Sequence, residues 1–467
     1  MSRSKRRGPT AGAAPVSASA PPRSRRHLKK SLILGLAGSV VAVAAAWFLR
    51  EARPANPPVR TPGKTPVNAP VPGNQAAASP EEAPPEEAPP ARPVRPRVFT
   101  GEAGPWGKLE YTRISIEPPW DTLPPADTYG EPLWFFEHLT RVQVMGAFEQ
   151  VGLTPAEREA IEQRGTWDEA EDGVVVSPPR EVIIGLSPQV RASLYAVLSR
   201  YHGNVLQRFP TPVQPEFLED PQQTRGFAPS TLALLKKLIY SRSTWMVFSD
   251  IQTLLLETAD PSERKRQIAL TLRNRTYVVS LRIEEGSDIE ALERYWGYPG
   301  RSKRLEPLLR SLTRVAGGSS LDIVHLLPPM ARRRIYTFPP PPEEGGPPAR
   351  DCYWTALNFF RDPTDETFRS PERAIAALRA DYQMVQPPYR FGDIVVLSSR
   401  REGQPIHAAV YVADDLLFTK NGRSPRQPWM FSKMDNMVSY YASTQSPGDH
   451  LETTVYRTRI PPEILDP

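Results

Sequence analysis

The spacing of apolar and polar positions divides the chain into three regimes. Leu32 to Leu49 is an unbroken apolar run of eighteen residues closed by Arg50. As a helix it spans about 27 Å, close to the hydrocarbon core of a bilayer. It has no polar face, which suits lipid better than a two-sided protein core. Residues 52–97 show no periodicity: fourteen of their forty-six positions are proline, and large apolar side chains are almost absent. Such a stretch cannot bury a core and reads as a disordered tether with a reach on the order of 140 Å.

From residue 98 the periodicities of folded elements appear. Residues 98–130 look irregular. Trp134, Phe135, Leu139, Val142, Met145 and Phe148 fall at helical spacing, and Thr154-Pro155-Ala156-Glu157 opens a second helix. Val174-Val175-Val176 and Val182-Ile183-Ile184 are strand-like. Ser187-Pro188 starts an amphipathic helix, and further helices are expected at 230–240, 245–257, 288–297 and 303–315, with a strand at Tyr277–Ile283. A Pro- and Gly-rich link, Phe338 to Pro348, leads to helices from Cys352 to Phe360 and at 371–382. Strands at 393–399, 406–413 and 415–419, a helix near 430–441 and a strand at 451–459 complete the pattern. The expected fold class is α+β, with a basic tail (1–31), a transmembrane helix (32–49), a linker (50–97), a mostly helical domain (98–334) and a C-terminal domain of helices and strands (335–467).

Charge sharpens the topology. Residues 1–97 hold sixteen Lys or Arg and five Asp or Glu, whereas the remaining 370 residues hold 42 basic and 47 acidic side chains. The basicity therefore belongs to the tail and tether. Nothing in the globular part presents the basic face that nucleic-acid binding requires, so no nucleic-acid partner is expected. A basic flank stays in the cytoplasm, which puts the C-terminal bulk on the extracytoplasmic, periplasmic side of the inner membrane. Ala44-Ala45-Ala46 offers a signal-peptide cleavage site. The long basic leader, the length of the apolar run and Trp47-Phe48 favour an uncleaved anchor.

Candidate chemistry converges on the only cysteine, Cys352. A thiol at a helix start is acidified by the helix's positive end, and the Cys352 N–H is a natural oxyanion donor. His407, on a later strand, is the base that takes the thiol proton and returns it to the leaving amine. A third polar group must hold the imidazole; Asn421 is the choice, with Thr419 and Lys420 as neighbours, the lysine disfavoured because it repels an imidazolium. The other histidines (His27 in the tail, His138 and His202 in expected helices, His325, His450) do not cluster with acids, so neither metal nor cofactor is expected. Asp414-Asp415 reads as a turn between strands.

Asp351-Cys352 at a helix start, Gly392-Asp393-Ile394-Val395-Val396-Leu397 and then His407-Ala408-Ala409-Val410-Tyr411-Val412-Ala413-Asp414-Asp415 resemble, in order, the motifs of the NlpC-type papain-like cysteine peptidases. The resemblance covers residues 335–425. It implies a nucleophile helix on an antiparallel sheet, Cys352 as nucleophile, His407 as base and hydrolysis of peptide bonds in bacterial cell-wall stems. The family's third polar residue lies twelve positions past the histidine, at Thr419 here, and an upstream tyrosine that helps the oxyanion hole corresponds to Tyr336. The family's Ser-Gly after the cysteine is replaced by Tyr353-Trp354. Two functions follow as expectations: a membrane-anchored cysteine hydrolase acting on cell-wall peptides, or an inactive envelope protein that uses the same fold to bind a wall peptide or an envelope protein. Acyl transfer by the same dyad is a third.

Overall fold

Ile394-Val395-Val396-Leu397 is apolar at every position, the mark of a strand covered on both faces, and it lies inside a six-stranded antiparallel sheet. The order across that sheet is Tyr382–Met384, Leu451–Thr458, Ile394–Ser399, Pro405–Ala413, Leu416–Lys420 and Trp429–Lys433. One face (Ile394, Val396, Ala408, Val410, Phe418) packs in a core with Trp354, Ala356 and Leu357 of the helix Cys352–Leu357. The other face (Val395, Leu397, Ala409, Tyr411, Leu417) is covered by Met437 and Tyr441 of the helix Met434–Thr444. The computed structural model describes residues 98–459 apart from 171, 214–217, 221–223, 243–244, 299, 344 and 446–448. The expected tail (1–31), span (32–49) and linker (50–97) lie outside the described residues. Among the described residues no helix is long and apolar enough to cross a membrane.

The Gly392-Asp393 pair is architectural. Gly392 has φ +95°, and a Cβ there would sit 2.2 Å from the Phe360 ring. Asp393 accepts from Arg457 through Nε (2.8 Å) and Nη2 (2.7 Å) and from the Arg390 N–H (2.8 Å), pinning the start of the strand to its neighbour. Gly392→Ala is expected to cost roughly 2–4 kcal/mol, from backbone strain plus overpacking against Phe360. Urea unfolding of the variant checks this; an unchanged midpoint would mean that Phe360 moves aside freely.

A second antiparallel sheet pairs Lys108–Ile116 with Asn274–Ile283, from Lys108↔Arg282 to Ile116↔Asn274, flanked by Val98–Thr100 and Ser319–Asp322. It is fused to the C-terminal sheet. Thr276 Oγ1 donates to Phe431 O (2.9 Å) and accepts from Phe431 N (3.1 Å), and the Tyr295 hydroxyl donates to Val412 O (2.7 Å). Leu109, Val279 and Leu281 share one hydrophobic core with Cys352 and Trp354. The expected boundary at 334/335 therefore runs through a single core.

The described residues within 117–273 form a unit with its own core, built from residues between Leu123 and Ala269. This unit, rather than the whole of 98–334, is mostly helical, and it carries two three-stranded sheets. It is inserted between two strands that pair with each other. Glu117 and Arg273 bridge its two ends at 2.6 Å. In its centre Arg191, fully buried, donates to Asp250 Oδ2 (2.6 Å) and Ile183 O (2.6 Å), and the Tyr195 hydroxyl donates to Asp250 Oδ1 (2.5 Å).

Several elements differ from expectation. Lys108–Ile116, placed in an irregular stretch, is a strand whose Leu109 and Tyr111 alternate inward. Trp134–Glu137 is a strand, and the helix begins only at Arg141 behind a Thr140–Gln143 capping box. Val182-Ile183-Ile184 lies in the helix Arg180–Gly185. Trp245–Phe248 and Trp429–Lys433 are strands preceding shorter helices. Pro261–Thr271 is a helix announced by Asp260, whose carboxylate caps Ser262 and Glu263. His138 and His202 occupy turns. At Trp134–Glu137, Trp245–Phe248 and Trp429–Lys433 local propensity gave way to sheet pairing, which the spacing of apolar residues does not encode.

Candidate functional site

The loop before the cysteine ends at Asp351, in extended backbone, whose Oδ1 accepts from Trp354 N at 3.0 Å and so caps a six-residue helix. Its Oδ2 faces Arg423 Nε at 3.4 Å. Thr355, one turn on, donates to Asp351 O (2.7 Å) and accepts from Trp429 Nε1 (2.9 Å), tying the helix to the last strand of the sheet. These bonds hold the helix on the strand Pro405–Ala413, where the Ala408 N–H favours the ionised thiol. Burial pushes the thiol up to about 12 and the Asp351 charge adds to it, outweighing the Ala408 N–H, Lys420 and the Tyr353 N–H. The acidification expected at a helix start is thus reversed, because one and a half turns of helix dipole cannot offset the loss of water plus an adjacent carboxylate.

His407 is fully buried on the central strand Pro405–Ala413. Its Nε2 lies 2.9 Å from Thr419 Oγ1, and its ring stacks on Tyr441 with centroids 4.2 Å apart and planes at 24°. Nδ1 is buried with no hydrogen-bond partner. Burial pushes the imidazole down to about 3, so it is neutral at physiological pH. The pleat explains its surroundings: His407 pairs with Leu397 and shares its side of the sheet with Ala409 and Tyr441, whereas Cys352 rests on the side of Ala408.

The structure therefore joins His407 to Thr419 and Cys352 to Ala408, and it makes no thiol–imidazole hydrogen bond. Asn421 does not hold the imidazole; Thr419 does, because it shares His407's side of the pleat while Asn421 lies past the strand end. Twelve-residue spacing was the signal for Thr419. Tyr336 is not placed as an oxyanion donor: its backbone is turned to φ 61°, its N–H donates to Trp429 O (2.7 Å) and its hydroxyl to Tyr277 O (2.6 Å). Asp414-Asp415 is the turn between Pro405–Ala413 and Leu416–Lys420, with Lys433 bridging both carboxylates. Tyr441 went unrecognised because its role arises only from the helix Met434–Thr444 folding over the sheet. As arranged, the site is dry and uncharged at both the thiol and the imidazole. No protein family, no curated protein and no solved structure matches the chain.

Proposed function

We propose that the chain is a membrane-anchored, extracytoplasmic cysteine hydrolase with a papain-like, NlpC-type C-terminal domain that cleaves amide bonds in cell-wall peptides. The observation that carries this reading is the capped Cys352 at a helix start together with a buried His407–Thr419 pair at the twelve-residue spacing of that family. Cys352 is the nucleophile. The unpartnered Nδ1 of His407 is the atom free to exchange a proton, and Thr419 holds the opposite nitrogen. Because both groups are neutral and covered, this arrangement is a resting one, and turnover requires the Tyr441 side of the site to open.

The test is amine release from purified wall peptides by the full-length chain in detergent. Cys352→Ala is expected to abolish release, by at least about a thousandfold, while leaving unfolding unchanged. Retained hydrolysis in that variant sinks the reading. The missing thiol–imidazole bond favours a second one, an inactive domain that binds wall peptide or an envelope protein; it predicts saturable peptide binding with no released amine in either chain.

A further inference from the structure

Pro347 and Pro348, ahead of the cysteine helix, line a groove of about 470 Å³ together with Glu366, Arg369, Ser370 and Arg373. That volume is in the range of small-ligand sites. Arg350 Nη2 (3.2 Å) and Arg369 Nε (2.5 Å) converge on Glu366 Oε2, and Thr364 Oγ1 donates to Oε1 (2.8 Å). Arg369 Nη1 also reaches Pro348 O (3.5 Å), which ties the proline wall to the arginine wall. Two guanidiniums thus share one carboxylate, and one positive charge is left over. Arg373 is exposed, and its guanidinium makes no ion pair among the described residues. Glu372 beside it is engaged by the Ser370 hydroxyl (2.7 Å). The positive charge continues behind the groove: Arg350 lies over the Trp354 ring (4.9 Å), Trp354 packs 6.2 Å from Trp429, and Arg334 lies over Trp429 (5.0 Å). Burial, then the Arg350 charge, hold Arg334 below the usual arginine value, with Glu366 opposing. The indole N–H of Trp354, the ring under Arg350, is buried without an acceptor.

Guanidinium and indole donors here exceed the carboxylates that answer them, so the place suits an anion. Arginine's planar fork of N–H groups matches a carboxylate, and the grip of Arg350 and Arg369 on Glu366 is an instance of it. We infer that the groove is a recognition site for the free carboxylate of a short peptide. Arg373 and the Nη2 group of Arg369, which neither of that residue's two bonds uses, grip the carboxylate, and Pro347 and Pro348 pack against the residues that precede it. Pro348 stands four residues before Cys352, a reach of at most about 14 Å along the chain. The site therefore selects peptides whose cleaved bond lies within about four residues of the carboxylate. That register rests on Cys352 being the nucleophile; the site itself serves the hydrolase and the binding protein alike.

The experiment is calorimetric titration of the full-length chain in detergent with acetyl-Ala-Ala-Ala ending in a free carboxylate, and with the same peptide ending in an amide. The acid is expected to bind about tenfold more tightly than the amide. Arg373→Gln is expected to remove that preference. Arg379→Gln, which takes the same charge from the far end of the helix Pro371–Asp381, is expected to keep it. Cys352→Ala should bind both peptides as the wild type does. Equal binding of acid and amide, an equal loss in both arginine variants, or no heat from either peptide at millimolar concentration overturns the site and leaves the hydrolase reading to the Cys352→Ala test. Inorganic phosphate displacing the acid as well as the peptide displaces itself overturns the peptide assignment in favour of a plain anion site. Acid-selective binding that Arg373→Gln abolishes, in a wild-type chain that releases no amine, upholds the site and sinks the hydrolase reading instead.

Discussion

Replacing Asp250 with alanine is expected to lower the stability of the inserted unit by about 3–5 kcal/mol. The carboxylate pairs with Arg191, whose guanidinium is fully buried between Ile183 O, Tyr195 and Asp250. Truncation leaves that charge in a dry core, and the same change strips the Tyr195 hydroxyl of its acceptor. Replacing both members with apolar residues, Arg191→Met with Asp250→Leu, is expected to cost far less, since no uncompensated charge remains. Urea unfolding followed by tryptophan fluorescence measures both. A loss under about 1 kcal/mol for Asp250→Ala would mean that water reaches the pair.

Acid is expected to unfold the C-terminal sheet through His407. The unfolded imidazole takes up a proton below its ordinary value of 6.5, whereas the buried one resists until about 3. Between those limits the unfolded state binds more protons, so stability is intact above pH 6.5 and falls as the pH drops through the window. The slope is about 1.4 kcal/mol per pH unit, or about 5 kcal/mol in all. His407→Leu removes the titration and should flatten the profile between pH 6 and 4. An identical slope in that variant would assign the acid lability elsewhere.

The features legible in the sequence were those written in local spacing. The capped helices, the central strands and the order of the Asp351-Cys352, Gly392-Asp393 and His407 motifs all have side-chain signatures within a few residues. Properties that depend on which elements meet were not legible. Lys108–Ile116 reads as irregular until Asn274–Ile283 pairs with it. Thr419 and Asn421 are two residues apart and share one parity, so the choice between them turns on where the strand Leu416–Lys420 ends. The thiol's direction of shift depended on how completely the helix, the sheet and Asp351 exclude and oppose its ionised form, and no motif records that.

Ile116 and Asn274 are Cα partners at the end of the paired strands, and the described residues between them build a core of their own. The two ends of that unit leave and re-enter the sheet at one point, bridged by Glu117 and Arg273. In terms of descent, such a unit is gained or lost in one event at a hairpin tip. Exchange of residues 117–273 for a short turn would leave the strand pairing intact but uncover the part of Met434–Thr444 that meets Trp245–Phe248.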